Sequence, residues 1–426
     1  MPMLLIKNGR IVDPAAGTDR IGDLFVENGK IAPLHRVPGD LPPDRILDAS
    51  DKIVAPGLVD MHVHFRDPGL TYKEDILTGT DAAAAGGVTT AVCMPNTKPV
   101  IDTPETVRYV LDKGAESKIN LLTYAAVTRG QLGRELTDME ALYQAGAAAF
   151  SDDGVQLQSA SLMRQALQNA KIRDLLICSH CEDTDMVQNY AVNEGIISKR
   201  LGLPGRPAIA EELMVARDAM LALETGARVH ICHVSTAGSV EIIRHYKAKG
   251  ARLTCETCPQ YFTLTEDIVP AKGAMARVNP PLRTAADMEA IIEGLRDGTI
   301  DVIATDHAPH SDEEKSRPLP DAPSGMSGLE TSLAVTYTRL CLQLDFSVSE
   351  ILRLMSTAPA KLLGLEKGRL AVGDDADLII FDPAENWTVD TARFHSKGHN
   401  TPFAGSLLTG RVKYTVCGGK VVYADQ

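Results

Sequence analysis

Residues 57–69 read GLVDMHVHFRDPG, and the two histidines in this stretch give the first indication of the fold. The stretch begins as an apolar run typical of a buried strand and ends in residues 66–69, whose Asp-Pro-Gly marks a turn. His62 and His64 are two residues apart, so on a strand both side chains project to the same side and can reach one metal ion. The alternative interpretation is one buried, hydrogen-bonded histidine and one exposed histidine.

Further apolar runs follow along the chain, and stretches with helical periodicity such as ASLMRQALQNAKI separate most of them. Eight strands with intervening helices over about 300 residues predict an α/β fold, a (β/α)8 barrel of the TIM type. A doubly wound open sheet is the alternative, but no GxGxxG stands where a nucleotide site would require one. The predicted strands are 57–64, 88–95, 119–127, 147–152, 175–181, 228–234, 252–261 and 300–306.

Both ends of the chain carry short strands with turn signals. Asn28-Gly29 lies between alternating runs near the start, and Gly418-Gly419 marks a turn in the tail. Neither end has enough strand to close a core alone, so the simplest arrangement is one small β-sandwich built from both termini. Residues 1–54 and 364–426 are predicted to form this sandwich, and residues 55–363 the metal-dependent barrel.

The composition is that of an ordinary globular protein, with 44% hydrophobic and 23% charged residues among 426. The net charge of −13 disfavours nucleic acid as a partner, because phosphate binding requires a basic face. No run approaches the roughly 18 apolar residues of a membrane span, and the first residues lack the features of a signal peptide. We therefore expect a cytoplasmic protein with neither a nucleic-acid partner nor a membrane partner.

The eight cysteines are expected to be free thiols rather than disulfides, because no export signal is visible. Cys178/Cys181 and Cys255/Cys258 have the CxxC spacing of some structural zinc sites. Each pair lies in or beside an apolar β-like run, where positions i and i+3 point to opposite faces. Buried thiols are therefore the preferred interpretation.

Imidazoles and carboxylates recur at the same end of the predicted strands. His180 lies near the end of LLICSHCED, His233 near the end of RVHICHVST, and Asp306 follows the run IDVIAT. The fourth run finishes in AFSDDG, which contains Asp152 and Asp153. In a barrel of this kind the active site lies at the carboxyl ends of the strands. Nitrogen and oxygen ligands without thiolates suit zinc, manganese or cobalt, so the pattern predicts a divalent metal centre there.

Taken together, these motifs resemble the metal-dependent amidohydrolase superfamily and, within it, the bacterial dihydroorotase family in which Asp replaces a carboxylated Lys. HxH or TDHAPH alone would identify only the superfamily. The resemblance implies a zinc-dependent cyclic amidohydrolase that reversibly converts N-carbamoyl-L-aspartate into L-dihydroorotate and water in de novo pyrimidine biosynthesis. It runs from end to end of the chain, in GLVDMHVHFRDPG, GGVTTAVCMPNTKP, AFSDDG, SHCED, CHVSTAGSV, ETCPQYF, VNPPLR, ATDHAPH and GRLAVGDDADLIIFD.

The resemblance also implies roles for individual residues. Asp153 is preferred to Asp152 as the bridging carboxylate, because it precedes His180 by the interval that the family keeps. Asp306 is expected to be the general acid/base that exchanges a proton with a metal-bound hydroxide. The implied metal ligands are His62, His64 and Asp306 for one zinc ion, His180 and His233 for a second, and Asp153 with the hydroxide as bridges. The implied substrate contacts are His64, Arg66, Asn96, Asn279, His310, Ser324 and Gly325.

Simpler roles stay open for some of these residues. Arg66 could form a salt bridge at the rim, Asn96 could cap a strand end, and His310 could be a solvated loop residue. His230 and His307 are predicted to be structural, and His230 has the wrong strand parity relative to the histidine at position 233.

Segment 310–325, HSDEEKSRPLPDAPSG, is polar and rich in proline. Such a segment is either a plain surface loop or a lid that orders over substrate, and its position beside Asp306 favours the lid. Pro323-Ser324-Gly325 stands where the family often carries Pro-Phe-Gly, and the lost aromatic ring could loosen the packing of a lid.

Two other functions are compatible with parts of the pattern. Hydantoinases and allantoinases share the fold and the HxH pair, but they typically bridge their metals with a carboxylated lysine at the fourth strand, where AGAAAFSDDG has none. A catalytically inactive scaffold that binds aspartate transcarbamoylase is disfavoured, since all six ligand positions carry competent side chains. Besides the small anionic substrate, aspartate transcarbamoylase and a second copy of the chain in a homodimer are possible partners.

Overall fold

A computed structural model describes residues 3–42 and 45–425, and its N-terminal part consists of short strands. Asn28 and Gly29 have φ angles of 55° and 80°, the left-handed backbone of a tight hairpin turn, and they connect the second strand to the third. These strands are β1 (Met3–Asp13), β2 (Thr18–Glu27), β3 (Lys30–Ala32), β4 (Ile46–Asp48) and β5 (Ile53–Pro56).

Eight parallel strands form a barrel in the middle of the chain, which confirms the predicted (β/α)8 fold. A bridge between Val63 and His307 closes the barrel, with the backbone N–H of His64 donating to the His307 carbonyl oxygen at 2.8 Å. In chain order, the barrel strands are β6 (Leu58–Val63), β7 (Val88–Cys93), β8 (Asn120–Ala125), β9 (Ala149–Ser151), β10 (Leu176–Ser179), β13 (Arg228–Ile231), β14 (Leu253–Thr257) and β15 (Val302–Ile303). Between β10 and β13, the strands β11 (Val192–Asn193) and β12 (Gly205–Arg206) form a separate parallel pair.

The last two barrel strands are shorter than predicted. The run 252–261 is extended only to Thr257, because Pro259 has no backbone N–H for a sheet and begins a 3-10 turn. The run 300–306 contributes only Val302–Ile303, and Asp306 already has a φ of 49°. The polar residue at position 306 therefore lies on the turn that follows its strand rather than in the strand.

Helices cover the crossovers between the barrel strands. The first helix begins where Asp75 accepts hydrogen bonds from the backbone N–H groups of Leu77 and Thr78, both at 2.9 Å. None of the helices in residues 3–42 and 45–425 combines the length and the apolar character that a membrane crossing requires. The helices are α1 (Ile76–Ala85), α2 (Pro104–Gly114), α3 (Met139–Gln144), α4 (Ala160–Ile172), α5 (Thr184–Val187), α6 (Ile196–Leu201), α7 (Ile209–Thr225), α8 (Ala237–Ala248), α9 (Val269–Lys272), α10 (Ala285–Arg296), α11 (Asp312–Lys315), α12 (Ser332–Thr336), α13 (Leu342–Leu344), α14 (Val348–Leu352) and α15 (Ala358–Leu362).

The C-terminal strands complete the sheet that the N-terminal strands begin. These strands are β16 (Leu378–Thr388), β17 (Leu407–Cys417) and β18 (Lys420–Ala424). β16 pairs antiparallel with β5, which gives one sheet in the order β18-β17-β16-β5-β1-β2-β3, with β4 beside β1. Leu4 and Leu24 share one buried cluster with Leu378 and Val416, so both termini build a common core, as predicted. The domain boundaries at residues 54/55 and 363/364 stay predictions.

The barrel interior is filled by side chains below its carboxyl end. One cluster of buried residues there includes Met61, Tyr124, Cys178 and Cys232. Both CxxC pairs are buried free thiols, which confirms that interpretation of the cysteines. Because the interior is packed, the space for a ligand lies at the carboxyl ends of the strands.

Candidate active site

The six predicted metal ligands converge at the carboxyl end of the barrel. His62 lies near the end of β6, and His64 follows the last residue of that strand. The other four follow β9, β10, β13 and β15, and all six side chains are buried. These four are Asp153, His180, His233 and Asp306.

The first pair of histidines faces two carboxylates. His62 Nε2 lies 3.5 Å from Asp153 Oδ1 and 3.5 Å from Asp306 Oδ1. His64 Nε2 lies 3.0 Å from Asp306 Oδ1 and 3.4 Å from Asp153 Oδ2. Two nitrogens and two carboxylates therefore surround one small volume.

The second pair of histidines approaches the same carboxylate from the other side. His180 Nδ1 and His233 Nε2 are 2.8 Å apart, and each lies 3.4 Å from Asp153 Oδ1. Asp153 is thus the side chain that the two histidine pairs share, which is the position predicted for a bridging ligand.

The chemistry of these side chains fits divalent metal ions. Buried polar atoms are nearly always hydrogen-bonded, but His62 Nε2 and Asp153 Oδ1 have no such partner within the described residues. Ligand atoms of His62, His64 and Asp153 lie within 4.8 Å of one another, and so do those of Asp153, His180 and His233. Imidazole nitrogens and carboxylate oxygens without thiolates are a donor set that zinc accepts.

The neighbouring carboxylate, Asp152, has a different role. Asp152 Oδ1 accepts hydrogen bonds from the backbone N–H groups of Val127 and Thr128 at 2.8 and 3.1 Å. The Thr128 hydroxyl donates to Asp152 Oδ2 at 2.5 Å. Asp152 therefore holds the turn after β8 in place, while the next residue along the chain faces the histidines.

The charges of this group reinforce one another. Burial alone would raise the pKa of Asp153, but the charge of His62 and the close contacts with the second histidine pair hold it well below its usual range. Burial would lower the pKa of His180, but Asp153 and Glu182 raise it to about 10. Metal ligation requires an ionised carboxylate and neutral imidazoles, so an ion that binds here displaces the protons of the histidines.

A cavity of about 190 Å³ opens beside these residues. Two predicted substrate contacts in its wall also touch predicted metal ligands. His64 Nδ1 donates to Asn96 Oδ1 at 2.8 Å, and Asn279 Nδ2 lies 3.3 Å from His180 Nε2. The lining residues are His64, Arg66, Asn96, Asp153, Gly154, His180, His233, Asn279, Asp306, Ala308, Ser324 and Gly325.

Arg66 supplies a guanidinium group to this cavity. Its Nε donates to the Pro309 carbonyl oxygen at 3.3 Å, and its Nη2 lies 3.4 Å from His310 Nε2. Burial lowers the pKa of Arg66 despite the nearby charge of Asp306. No carboxylate in the described residues pairs with it at salt-bridge distance, which leaves the charge available to an anionic ligand.

Sequence comparison gives the family of the chain. The dihydro-orotase-like family model matches residues 51–239, and the amidohydrolase family model matches residues 326–423. The chain is 49% identical over 421 residues to dihydroorotase from Clostridioides difficile (strain 630), a match that covers 99% of this chain and 100% of that protein. It is 49% identical over 423 residues to dihydroorotase from Pelotomaculum thermopropionicum, with 99% of each chain covered. The chain belongs to the dihydroorotase family.

Solved structures similar to this member of the dihydroorotase family include hydantoinases. An L-hydantoinase (dihydropyrimidinase) from Arthrobacter aurescens superposes with a TM-score of 0.88 at 28% identity, covering 100% of this chain and 96% of that one. A D-hydantoinase (dihydropyrimidinase) from Thermus sp. superposes with a TM-score of 0.83 at 26% identity, covering 99% and 95%. The dihydroorotase family chain thus shares its barrel and terminal sheet with cyclic amidohydrolases.

Segment 310–325 is docked against the cavity in this member of the dihydroorotase family. His310 Nε2 donates to the Ser324 carbonyl oxygen at 2.9 Å. Burial and the charges of Arg66, Lys73 and Lys315 hold the pKa of His310 well below its usual range, so the ring is neutral. Of the predicted substrate contacts, Ser324 lines the cavity, whereas His310 is not a lining residue and reaches the wall through its hydrogen bond to Ser324.

Two groups of residues behind the ligands were missed by sequence reasoning. Glu182, two residues after His180, pairs with Arg206 at 2.7 Å, and both side chains contact Asn279. The signal for Glu182 was its place in SHCED, but nothing in the sequence connects it with residue 206. Glu256 touches His62 from the side opposite the carboxylates, and its only signal was a charged residue inside an apolar strand.

Proposed function

We propose that this protein interconverts N-carbamoyl-L-aspartate and L-dihydroorotate as a metal-dependent cyclic amidohydrolase. The observation that carries the proposal is the convergence of two histidine pairs on Asp153 beside Asp306 and Arg66. Membership of the dihydroorotase family supports the substrate, and Asn96 and Asn279 in the cavity wall supply uncharged polar groups around it.

Zinc is the metal that the donor set favours. His62, His64 and Asp153 would hold one ion, and Asp153, His180 and His233 would hold a second. When bound there, divalent ions lower the pKa of a water molecule to about 7 and polarise the carbonyl group under attack. Asp306 contributes a further carboxylate oxygen on the side of the first histidine pair.

Asp306 is the residue that moves the proton. In ring opening, it takes a proton from the attacking water and delivers it to the ring nitrogen as the C–N bond breaks. The water oxygen forms the new C–O bond and becomes part of the new carboxyl group of the open product, which releases one proton to solvent. Cyclisation reverses these steps, so Asp306 receives the nitrogen's proton and water leaves.

Arg66 is the residue that recognises the substrate carboxylate. Its guanidinium group presents two parallel N–H donors that match the two oxygens of a carboxylate. Asn96 and Asn279 lie on either side of the site and supply uncharged amide donors to the ring or the ureido group. Gly154 and Gly325 form part of the wall, where an added Cβ would lie 2.9 Å from Asn96 Nδ2 and 2.7 Å from the Ala308 carbonyl oxygen, respectively.

A hydantoinase activity is the second candidate, because the hydantoinase from Arthrobacter aurescens is so similar in structure. Turnover of dihydroorotate, hydantoin and allantoin by the zinc-loaded protein separates the candidates. We expect dihydroorotate to have the highest kcat/KM, and faster use of hydantoin or allantoin would reject the proposal. A physical complex with aspartate transcarbamoylase, a homodimer and a cytoplasmic location stay predictions.

A further inference from the structure

Glu256 lies in β14 beneath the metal ligands, where its two carboxylate oxygens serve two different histidines. His62 Nδ1 donates to Glu256 Oε1 at 2.5 Å, and Glu256 Oε2 lies 3.2 Å from His230 Nε2. Both histidine side chains are completely buried, and Glu256 itself is 1% exposed. The three side chains form a continuous chain of contacts from the barrel interior to the site.

The contact with Glu256 determines which nitrogen of His62 faces the site. A carboxylate can only accept, so Nδ1 keeps its proton, and Nε2 is the nitrogen whose lone pair is available to a metal ion. That Nε2 is the atom 3.5 Å from both Asp153 and Asp306. The hydrogen bond therefore leaves His62 in the tautomer that can bind a metal ion.

His230 fixes the orientation of Glu256 in turn. His230 and Thr254 are opposite each other in the pairing of β13 with β14, and His230 Nδ1 lies 2.9 Å from Thr254 Oγ1. Glu256 is two residues beyond Thr254 on the same face of the strand. With one oxygen on His230, the carboxylate cannot rotate away from His62 without losing a buried hydrogen bond.

The other predicted ligands have weaker supports in the described part of the chain. His64 Nδ1 donates to the neutral amide of Asn96, and His180 Nε2 lies 3.6 Å from Glu182. His233 Nδ1 has no hydrogen-bond partner there. His62 is thus the histidine with a close and direct carboxylate contact on the nitrogen that faces away from the site.

We propose that Glu256, held by His230, is a positioning residue that sets the tautomer, orientation and basicity of His62 toward the first metal ion. This inference rests on the proposed metal-dependent function. Carboxylates that accept from a metal-binding histidine typically change metal affinity about 10- to 100-fold when they are removed. Glu256 therefore acts on retention of the ion at His62, and it does not touch the substrate.

The test is competition for zinc between the loaded protein and a chromogenic chelator, with the number of bound ions counted by native mass spectrometry. Glu256→Gln is expected to weaken zinc binding about 10- to 100-fold and to release one ion before the other. Glu256→Asp keeps the charge but withdraws it from His62, so a similar loss is expected. Glu266→Gln, at a buried carboxylate that accepts a hydrogen bond from Asn193 Nδ2 at 2.7 Å, is the matched control and keeps wild-type affinity.

Three results would overturn the inference. The first is wild-type zinc affinity in Glu256→Gln, and the second is wild-type affinity in Glu256→Asp, which would assign the effect to charge alone. The third is an equal loss in Cys232→Ser, because Cys232 could form a metal site with His62 and Glu256 in which Glu256 is itself a ligand. If Glu256→Gln does not fold, His230→Gln decides the question, with a smaller loss of affinity expected and an unchanged affinity overturning the inference. Failure of the wild-type protein to bind any divalent ion would instead reject the proposed function.

Discussion

At the residue scale, Asp306 is the side chain to which we assign two proposed roles, at the first metal ion and in proton transfer. Its Oδ1 lies 3.0 Å from His64 and 3.5 Å from His62, so it faces the first histidine pair. Its φ of 49° turns the backbone at the end of the run and directs the carboxylate into the cavity instead of along the strand. A carboxylate in this place is close both to the first metal position and to a bound substrate.

We expect Asp306→Ala to lose turnover in both directions while zinc content stays at the wild-type level. General acid–base groups typically contribute about 100- to 10,000-fold, so kcat should fall by at least about 100-fold. Steady-state rates with dihydroorotate and with carbamoyl aspartate, together with metal analysis, check this expectation. Asp297→Ala, at an exposed aspartate paired with Arg244, is the control. Retained activity would remove the proton-transfer role.

Arg66→Lys keeps a positive charge but removes the fork of parallel donors. We expect KM for both substrates to rise about 10- to 100-fold, because hydrogen bonds to charged groups contribute about 1.5–3 kcal/mol. Zinc affinity should not change, since Arg66 is not among the possible ligands. Arg173→Lys, at an exposed pair with Glu140, is the control. An unchanged KM would show that another group recognises the carboxylate.

The sequence could not by itself decide between adjacent acidic residues. Asp152 and Asp153 follow the same strand, and only the interval kept by the family favoured the second. The structure distinguishes them because Asp152 accepts hydrogen bonds from the backbone N–H groups of residues 127 and 128 and is not free to bind a metal ion. Glu256 was not predicted at all, since contacts between strands far apart in the chain depend on barrel register, which the sequence does not display.

At the scale of elements, the barrel strands were predictable because each is an apolar run that ends in a polar turn. Their lengths were not predictable to the residue, since Pro259 and the turn before Asp306 end the pairing early. For segment 310–325, only its position beside Asp306 favoured a lid. A polar, proline-rich composition suits a surface loop and a docked lid equally, and it gives no sign that Lys315 is buried.

Lys315 is the anchor of that segment. It is 2% exposed, and its Nζ donates to the carbonyl oxygens of Arg277, Pro323 and Gly325 at 3.3, 3.0 and 2.9 Å. The three carbonyl groups belong to two stretches that reach the cavity, one leading to Asn279 and one containing Gly325. No carboxylate within the described residues forms an ion pair with this ammonium group.

Burial lowers the pKa of Lys315 from 10.5 to about 7, which predicts a pH-dependent stability. Between these pH values the unfolded chain carries a proton that folded Lys315 lacks. The contribution of Lys315 to the free energy of unfolding therefore rises with pH, by up to about 1.4 kcal/mol per pH unit. Below pH 7 the lysine is charged in both states, and its contribution stays constant.

Denaturant unfolding of wild type and Lys315→Met at pH 6 to 10 checks this expectation. We expect the stability of wild type relative to the variant to increase from pH 7 upward and to be constant below it. Lys397→Met, which removes an exposed lysine paired with Asp75, is the matched control. Parallel curves for wild type and Lys315→Met would contradict the expectation.

At the scale of the whole molecule, Asp377 connects the terminal sheet to the barrel. Its Oδ2 accepts from Asn120 Nδ2 at 2.9 Å and from Lys367 Nζ at 2.6 Å. Its Oδ1 accepts from the backbone N–H of Gly418 at 2.7 Å. Asn120 begins β8 and Gly418 lies in the turn after β17, so one buried carboxylate joins the two parts of the fold.

We expect Asp377→Ala to lower the free energy of unfolding by about 2 kcal/mol, because Asn120 Nδ2 and the Gly418 N–H lose this buried acceptor while Lys367 keeps its pair with Asp375. The kcat of the folded protein should stay near that of wild type, since Asp377 is remote from the cavity. Asp19→Ala, at an exposed pair with Arg10, is the control and should cost less than about 1 kcal/mol. An equal loss in both variants would show that Asp377 does not join the two parts.

Synthesis imposes an order on the sheet that both termini share. The ribosome delivers β1 to β5 first and β16 to β18 last, after the whole barrel. Throughout that delay the edge of β5 presents unpaired N–H and C=O groups, and such edges are templates for pairing with another chain. Residues 53–56 are therefore a place where neighbouring nascent chains on one polysome can pair, and a chaperone that holds this edge until translation ends would raise the yield of folded protein.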